Sequence, residues 1–147
     1  MSPLYFSGLT KFTKSILSAK PIKIFNNGNM FRDFTYIDDI VNVFFKLLNK
    51  IPKRKSNIRL KNKVPFRVLN VGNNDPIELK KYVKYLEDEL KKNTKKIKLP
   101  MQKGEVKRTH ASLKNLKKVT NFKPNTKINT GIKKFVNWYN SYYKNEK

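Results

Sequence analysis

Three polar positions at the ends of predicted strands are the residues best suited to hold a charged ligand. Arg32 stands on a short extended segment before a helix, Asn70 ends another predicted strand, and the loop Gln102–Glu105 follows a third. In open α/β architectures ligands collect at the ends of strands, and the planar guanidinium of arginine is well matched to a diphosphate. An ion pair with Asp33 or Asp38 explains Arg32 equally well, so both interpretations stay open on local pattern alone.

Residue types exclude most familiar catalytic and metal chemistries. The sequence has no cysteine, which removes disulfides, thiolate zinc sites and cysteine nucleophiles, and its single histidine, His110, cannot build a histidine metal site. The five glycines are too scattered for a dinucleotide-binding loop or a P-loop. Asp38 and Asp39 are adjacent, but helix capping explains them better than an acid/base pair. Tyr143 and Lys147 have Tyr-x-x-x-Lys spacing at a fraying chain end, which we interpret as chance.

Apolar spacing predicts alternating helices and strands. Helical faces are expected within Leu9–Leu17, Ile40–Leu48, Leu79–Leu90, Leu113–Leu116 and Ile132–Tyr139. Short strands or extended segments are expected at Ile22–Phe25, Phe31–Tyr36, Phe66–Val71 and Ile97–Pro100. The alternation indicates an α/β fold, and 147 residues fit one domain.

Turn and capping residues mark the boundaries of these elements. Asn26–Gly28 is a turn signal of the hairpin type. The run Asp75–Glu78 offers an acceptor at the N-cap, proline at the first helical position and glutamate at the third, which predicts a helix start. Ser112 and Thr130 are each expected to cap the helix that follows them.

A net charge of +24 makes polyanion binding an alternative to be weighed. The cations are 29 Lys and 5 Arg, whereas surfaces that clamp phosphates or read bases favour arginine. Lysine, asparagine and isoleucine share AT-rich codons, so genome bias also accounts for this composition. The densest cationic run, Lys46–Lys63 around Lys53-Arg54-Lys55, is interpreted as a solvated loop.

Four blocks in the sequence resemble nucleotide-sugar epimerases of the extended short-chain dehydrogenase/reductase superfamily. Asn29–Val41 closely resembles their R-D-F-T-Y-I-D-D-I-V block, and Asn70–Leu79 resembles N-I-G-N-N-x-P-V-E-L. Leu99–Val106 is similar to L-P-M-Q-P-G-D-V, which points to the UDP-glucuronate 4-epimerase branch of capsule and lipopolysaccharide sugar synthesis. Gly131–Tyr143 resembles the closing helix of the family, so the blocks keep family order from about residue 9 to residue 143.

The resemblance implies an α/β fold that is the C-terminal substrate-binding portion of an extended Rossmann-type sugar-nucleotide epimerase. Residues 9–147 would form the sugar-nucleotide domain, while residues 1–8 match poorly. Arg32 matches the arginine that binds the diphosphate of the sugar nucleotide, and Asn70 matches an asparagine that contacts the nucleotide.

The resemblance also implies that Gln102, Lys103 and Glu105 belong to a loop that closes over the ribose and phosphates. Lys103 stands where the family has proline, and Glu105 stands where it usually has aspartate. Ser112 replaces an aspartate of the family pattern, although serine caps a helix equally well.

The glycine-rich NAD loop and the catalytic Tyr-x-x-x-Lys of the family have no counterpart in this sequence. The resemblance therefore implies NAD as the cofactor of the complete enzyme, with none bound by this chain alone, no catalytic residue here and no metal site. A UDP-sugar is the expected ligand, and a separately encoded N-terminal Rossmann half is a candidate partner.

The leading hypothesis is thus a substrate-binding fragment of a UDP-glucuronate-like 4-epimerase, from a truncated or split gene, that is inactive alone. A stand-alone basic module for nucleic acid or other polyanions is the alternative, and a decayed remnant is a third. The start of the sequence lacks signal-peptide features and no apolar run approaches a membrane span, so a cytoplasmic location is expected.

Overall fold

The computed structural model describes residues 8–53 and 65–144, and the described chain forms two compact units. Unit 1 contains the stretches up to Arg32, Pro76–Thr109 and the chain from Lys127 onward. Unit 2 contains Asp33–Asp75 and His110–Thr126. Each unit is therefore assembled from stretches that are separated in sequence. The predicted cationic centre at Arg54 and Lys55 lies outside the described residues.

Unit 1 combines three helices with short strands. The helices are α1 (Gly8–Leu17), α3 (Leu79–Leu90) and α5 (Ile128–Lys144), and the strands are β1 (Ile22–Phe25), β2 (Phe31–Asp33), β3 (Pro76–Glu78) and β4 (Lys96–Leu99). β1 and β4 pair in parallel, from Ile22 opposite Lys96 to Phe25 opposite Leu99. β2 pairs with β3, and α3 packs against both α1 and α5. These elements confirm the predicted α/β alternation.

The apolar faces predicted for α1, α3 and α5 supply the core of unit 1. Its buried side chains are Ile16, Ile22, Ile24, Met30, Tyr82, Val83, Leu86, Ile132, Val136 and Tyr139. The predicted helical faces supply Ile16, Val83, Leu86, Ile132, Val136 and Tyr139, whereas Met30 and Tyr82 were not predicted. Burial of these side chains is the main favourable term in the stability of unit 1.

The turn Asn26–Gly28 does not make the predicted hairpin. It is a single 3₁₀ turn in which Asn26, Asn27 and Gly28 all have positive φ, and the Asn26 side chain donates to the carbonyl of Asn29 at 2.9 Å. The strands on either side pair with other partners, β1 with β4 and β2 with β3. Asparagine and glycine tolerate this conformation, but tertiary pairing decides where the chain goes next.

The helix start predicted at Asp75–Glu78 is also wrong. Pro76–Glu78 is strand β3, and α3 begins at Leu79 with no side-chain cap. The amide of Leu79 donates to the carbonyl of Met30 at 2.8 Å, which holds the junction against the preceding strand segment. Pairing with β2 therefore outweighs a favourable local capping sequence.

Unit 2 contains α2 (Ile37–Leu47) and α4 (Lys114–Thr120), which pack together. Val43, Leu113 and Leu116 are its buried apolar residues. Five partly buried side chains pack around them: Leu47, Leu69, Val71, Ala111 and Phe122. Only one side of α2 faces this core, because Phe44, Phe45 and Leu48 are 64%, 67% and 70% exposed. The apolar face predicted for α2 is therefore wider than the surface that unit 2 covers.

The strand predicted at Phe66–Val71 is absent. This stretch is assigned to no strand within the part of the chain that the structure describes, and Phe66 and Val68 are 64% and 77% exposed, whereas Leu69 and Val71 pack on the core. Phe66, Arg67 and Val68 are all exposed in succession, so the side chains do not alternate between two faces as they would along a half-buried strand. A strand also needs a hydrogen-bonding neighbour, and no other described segment pairs with this one.

The four predicted capping residues do not cap. Asp38 and Asp39 lie inside the first turn of α2, where their negative charge interacts favourably with the positive end of the helix dipole. Buried Asp39 accepts a hydrogen bond from the amide of Thr126 at 3.0 Å. Leu113, not Ser112, precedes α4, and Thr130 lies within α5. The sequence therefore predicted where these helices lie but not the residues at which they begin.

Candidate anion-binding site

Arg32 lies on β2 with its guanidinium held at two points. Its Nη1 donates to the carbonyl oxygen of Phe31 at 2.9 Å, and its Nη2 donates to Oε2 of Glu105 at 2.8 Å. The carboxylate of Glu105 is distant from Arg32 in sequence, and local pattern did not point to this pair. Both side chains remain partly accessible, at 26% for Arg32 and 36% for Glu105.

The loop that carries Glu105 is anchored at both ends. On its N-terminal side, β4 ends at Leu99 and is paired to β1. On its C-terminal side, the amide of Phe31 donates to the carbonyl of Lys107 at 2.9 Å, and the amide of Thr109 donates to the carbonyl of Phe31 at 3.1 Å. The Arg108 guanidinium lies 5.4 Å from the centre of the Phe31 ring. Phe31 therefore fixes the loop next to Arg32.

Between these anchors the loop lines an open cavity of about 540 Å³. The lining residues are Arg32, Gln102, Lys103, Gly104, Glu105, Val106 and Thr109. The amide of Glu105 donates to the carbonyl of Gln102 at 3.2 Å, and Gly104 has φ +83°. Two cations, one carboxylate and an amide side chain thus surround a space of the size that small-molecule ligands occupy.

Four of the five residues predicted to hold a ligand lie around this cavity in unit 1. They are Arg32, Gln102, Lys103 and Glu105. Sequence reasoning missed Val106 and Thr109, which follow the recognised loop. It also missed Phe31, whose contribution is a backbone carbonyl and a ring face rather than a polar side chain.

Asn70, the fifth predicted residue, belongs to unit 2. It follows Leu69 and precedes Val71, both of which pack on the unit 2 core, so its position in the chain is well anchored. Unit 2 also contains a polar centre that the sequence analysis did not single out. Asp33 accepts backbone hydrogen bonds from Asn73, Asn74 and Ala111 at 3.0–3.1 Å and from Asp75 at 3.4 Å. Because Asp33 is next to Arg32 in the sequence, it was interpreted as an ion-pair candidate. Its role as an acceptor for backbone amides was not predicted.

The glycines that fill tight positions face the protein's own side chains. A Cβ on Gly28 would lie 2.6 Å from the side chain of Lys80, and one on Gly72 would lie 2.4 Å from Cβ of Ala111. A dinucleotide-binding loop instead needs glycines where a pyrophosphate approaches the backbone. Gly28 and Gly72 are therefore not placed as a dinucleotide-binding loop requires.

Comparison with known proteins shows similarity to epimerases. Residues 7–71 match the model of the NAD dependent epimerase/dehydratase family. The chain is 38% identical over 143 residues to a protein named "Probable UDP-glucuronate 4-epimerase" from Rhizobium meliloti, an alignment that covers 92% of this chain and 42% of that protein. Most of this chain is therefore similar to about two-fifths of that protein. The resemblance first inferred from short blocks is thereby confirmed.

Solved structures support the same relationship at the level of the fold. UDP-glucuronic acid 4-epimerase from Bacillus cereus, in complex with UDP-glucuronic acid and NAD, is 25% identical with a TM-score of 0.70 and covers 86% of this chain and 37% of its own. UDP-glucose 4-epimerase from Thermotoga maritima is 20% identical with a TM-score of 0.79, covering 97% of this chain and 42% of its own. The chain thus spans about two-fifths of these relatives, and its fold is that of part of an extended epimerase.

The described residues contain neither a membrane-spanning helix nor a cluster of metal ligands. None of their helices is both long and apolar enough to cross a bilayer. They hold no group of three or more acidic or histidine side chains that could bind a metal ion.

Proposed function

We propose that this chain is the substrate-binding portion of a UDP-sugar 4-epimerase and that its ligand is UDP-glucuronate or a close analogue. The observation that carries the proposal is the common cavity that Arg32 and the loop Gln102–Glu105 form in unit 1. The R. meliloti relative and the B. cereus structure, whose names refer to UDP-glucuronate or UDP-glucuronic acid, support the choice of sugar. The wider role proposed is surface-polysaccharide sugar synthesis in the cytoplasm.

In this proposal Arg32 binds the diphosphate, because a guanidinium offers two parallel N–H donors to phosphate oxygens. Lys103 adds a second positive charge from the loop, and Gln102 offers both a donor and an acceptor. Glu105 is an acceptor suited to sugar or ribose hydroxyls. Asn70 contacts the nucleotide, as its match to the family's asparagine suggests.

The proposal assigns hydride transfer to a different polypeptide segment. NAD is the cofactor of the complete enzyme, and this chain alone would neither bind it nor epimerise the sugar. A separately encoded Rossmann half is the partner that would restore activity. The relatives give no support to the alternative of a stand-alone polyanion-binding module.

Removal of the Arg32 guanidinium tests the site directly. We expect Arg32→Ala to weaken binding of UDP-glucuronate by about tenfold or more in isothermal titration calorimetry, since charge-assisted hydrogen bonds contribute about 1.5–3 kcal/mol. Arg67→Ala is the matched control, because it removes the same charge from unit 2. Equal affinity in wild type and Arg32→Ala would contradict the proposed role of this arginine.

A turnover assay tests the assignment of hydride transfer. The purified chain, supplied with NAD and UDP-glucuronate, should produce no UDP-galacturonate detectable by chromatography. Coexpression with a polypeptide that contains a glycine-rich loop and Tyr-x-x-x-Lys should restore conversion. Turnover by the chain alone would refute the proposal that it serves only to bind substrate.

A further inference from the structure

The cavity in unit 1 holds a single carboxylate, and we propose that this carboxylate determines which anions the cavity accepts. Glu105 would compete with an incoming oxyanion for Arg32 and so exclude small free anions such as phosphate and pyrophosphate. This inference rests on the proposed function for its organic ligand, but the competition itself depends only on the geometry around Arg32.

The competition follows from how the guanidinium is already engaged. Nη1 of Arg32 donates to the backbone oxygen of Phe31 at 2.9 Å, and Nη2 donates to Oε2 of Glu105 at 2.8 Å. An oxyanion that approaches Nη2 must displace Glu105 or share the donor with it. Displacement costs a charge-assisted hydrogen bond, and sharing brings two negative groups into contact.

The net charge of the cavity lining also predicts weak binding of small free anions. Arg32 and Lys103 contribute two positive charges to the lining, and Glu105 reduces that sum to one. A pyrophosphate ion carries several negative charges and has no group that could compensate Glu105. Its attraction to the cavity is therefore reduced at the position where the guanidinium should hold it.

The pair is weak enough to open for a larger ligand. Its side chains are 26% and 36% exposed, and solvent screening keeps partly exposed ion pairs of this kind weak. Next to Glu105, a Cβ on Gly104 would have nothing within 4 Å, so the loop tip has open space around it. A ligand whose diphosphate is joined to other contacting groups can offset the cost of opening the pair, whereas a small anion cannot.

Glu105 is therefore a specificity-determining residue that favours diphosphate esters over the free ion. Aspartate at this position would retain the charge but shorten the side chain by one methylene. The 2.8 Å contact to Arg32 would then be strained or lost. Two conservative substitutions therefore separate the two properties: Glu105→Gln removes the charge and keeps the side-chain length, whereas Glu105→Asp keeps the charge and shortens the side chain.

The test is a pair of titrations, with inorganic pyrophosphate and with UDP, on wild type, Glu105→Gln and Glu105→Asp. We expect Glu105→Gln to bind pyrophosphate about tenfold more tightly than wild type, because an ion pair is removed and one repulsive charge is lost. The increase in affinity for UDP should be at least threefold smaller than that for pyrophosphate. The ratio of the dissociation constant for pyrophosphate to that for UDP should therefore fall. Glu105→Asp should lie between wild type and Glu105→Gln. Glu89→Gln is the charge-matched control on α3 and should leave both affinities unchanged.

The outcomes separate this inference from the proposed function. Tighter pyrophosphate binding in Glu105→Gln with no binding of UDP-glucuronate to any variant would support the competition and refute the proposed substrate. Arg32-dependent binding of UDP-glucuronate with unchanged pyrophosphate affinity in Glu105→Gln would overturn the competition and leave the proposed function standing. An equal gain in Glu89→Gln would attribute the effect to net charge and overturn the specific role of Glu105.

Discussion

Asp33 concentrates several backbone interactions of unit 2 on one side chain. Its Oδ1 accepts from the amides of Asn73 and Asp75, and its Oδ2 accepts from those of Asn74 and Ala111. Two chain stretches of unit 2 that are far apart in sequence are thereby joined through one carboxylate. A carboxylate suits this position because all of its lone pairs are acceptors.

Asp33→Asn should destabilise the protein, since the amide group of asparagine turns two donors toward backbone N–H groups. We expect the free energy of unfolding to fall by about 2–3 kcal/mol, which is the cost of partly buried amides left without an acceptor. Urea denaturation followed by circular dichroism measures the change. Asp88→Asn, an exposed substitution that removes a helix-surface pair with Lys84, should have little effect. Similar losses in the two variants would contradict a special role for Asp33.

Tyr82 shows how burial changes the chemistry of a single group. Its side chain lies in the unit 1 core, and burial raises the pKa of its phenol well above the ordinary value. The neutral phenol is thus favoured in the folded state. The neutral phenol of Tyr82 contributes fully to the free energy of unfolding at pH values below the pKa of tyrosine in the unfolded chain, near 10. This contribution is lost as pH rises toward the higher pKa of the folded state.

The free energy of unfolding should therefore decline above about pH 10 in a way that Tyr82→Phe reduces. Chemical denaturation at several pH values between 8 and 11 measures the slope for each protein. All other groups are common to both proteins, so the difference between the two curves isolates Tyr82. Tyr85→Phe is the control on the same helix, and an equal effect in that variant would contradict the assignment.

At the scale of elements, the sequence predicts those whose signal is local. The helical period of α1, α3 and α5 and the short apolar runs of β1 and β4 were sufficient to locate these elements. The strand β3 was mistaken for a helix start, because Asp75–Glu78 has good capping chemistry and its pairing with β2 is not a local property. The hairpin expected at Asn26–Gly28 failed for the same reason, since turn composition does not specify which strands pair.

The candidate site was predicted to a similar extent. Family blocks identified Arg32 and the loop Gln102–Glu105, and the structure brings them to one cavity. The partner of Arg32 could not be predicted from the residues nearby, because Glu105 lies 73 positions further along the chain. The roles of Phe31 and Asp33 depend on backbone geometry, which side-chain type alone does not reveal.

At the scale of the whole molecule, several large apolar side chains of unit 2 are exposed. Phe44 and Phe45 on α2 and Leu48 directly after it are at least 64% exposed, and Phe66 and Val68 of the same unit are similarly exposed. Large exposed side chains of this kind are typical of surfaces that associate with another protein. Charge repulsion at +24 opposes association at low salt.

We therefore expect the isolated chain to self-associate once salt screens its charge. Sedimentation velocity in about 0.3 M salt should show a weight-average mass that rises with concentration, and Phe44→Glu with Phe45→Glu should suppress the rise. Asn93→Glu with Asn137→Glu adds the same two charges to unit 1 and is the control. If the control suppresses association equally, net charge and not the α2 surface is responsible.

The parallel pairing of β1 with β4 has a consequence for the order in which the protein is made. Ile22 pairs with Lys96, and α5, which completes the unit 1 core, begins only at Ile128. During synthesis from the N-terminus, unit 2 has all its residues by Thr126, whereas unit 1 still lacks its last helix. Loop closure over such separations is slow and entropically costly. The core of unit 1 therefore cannot be completed until the residues of α5 have left the ribosome.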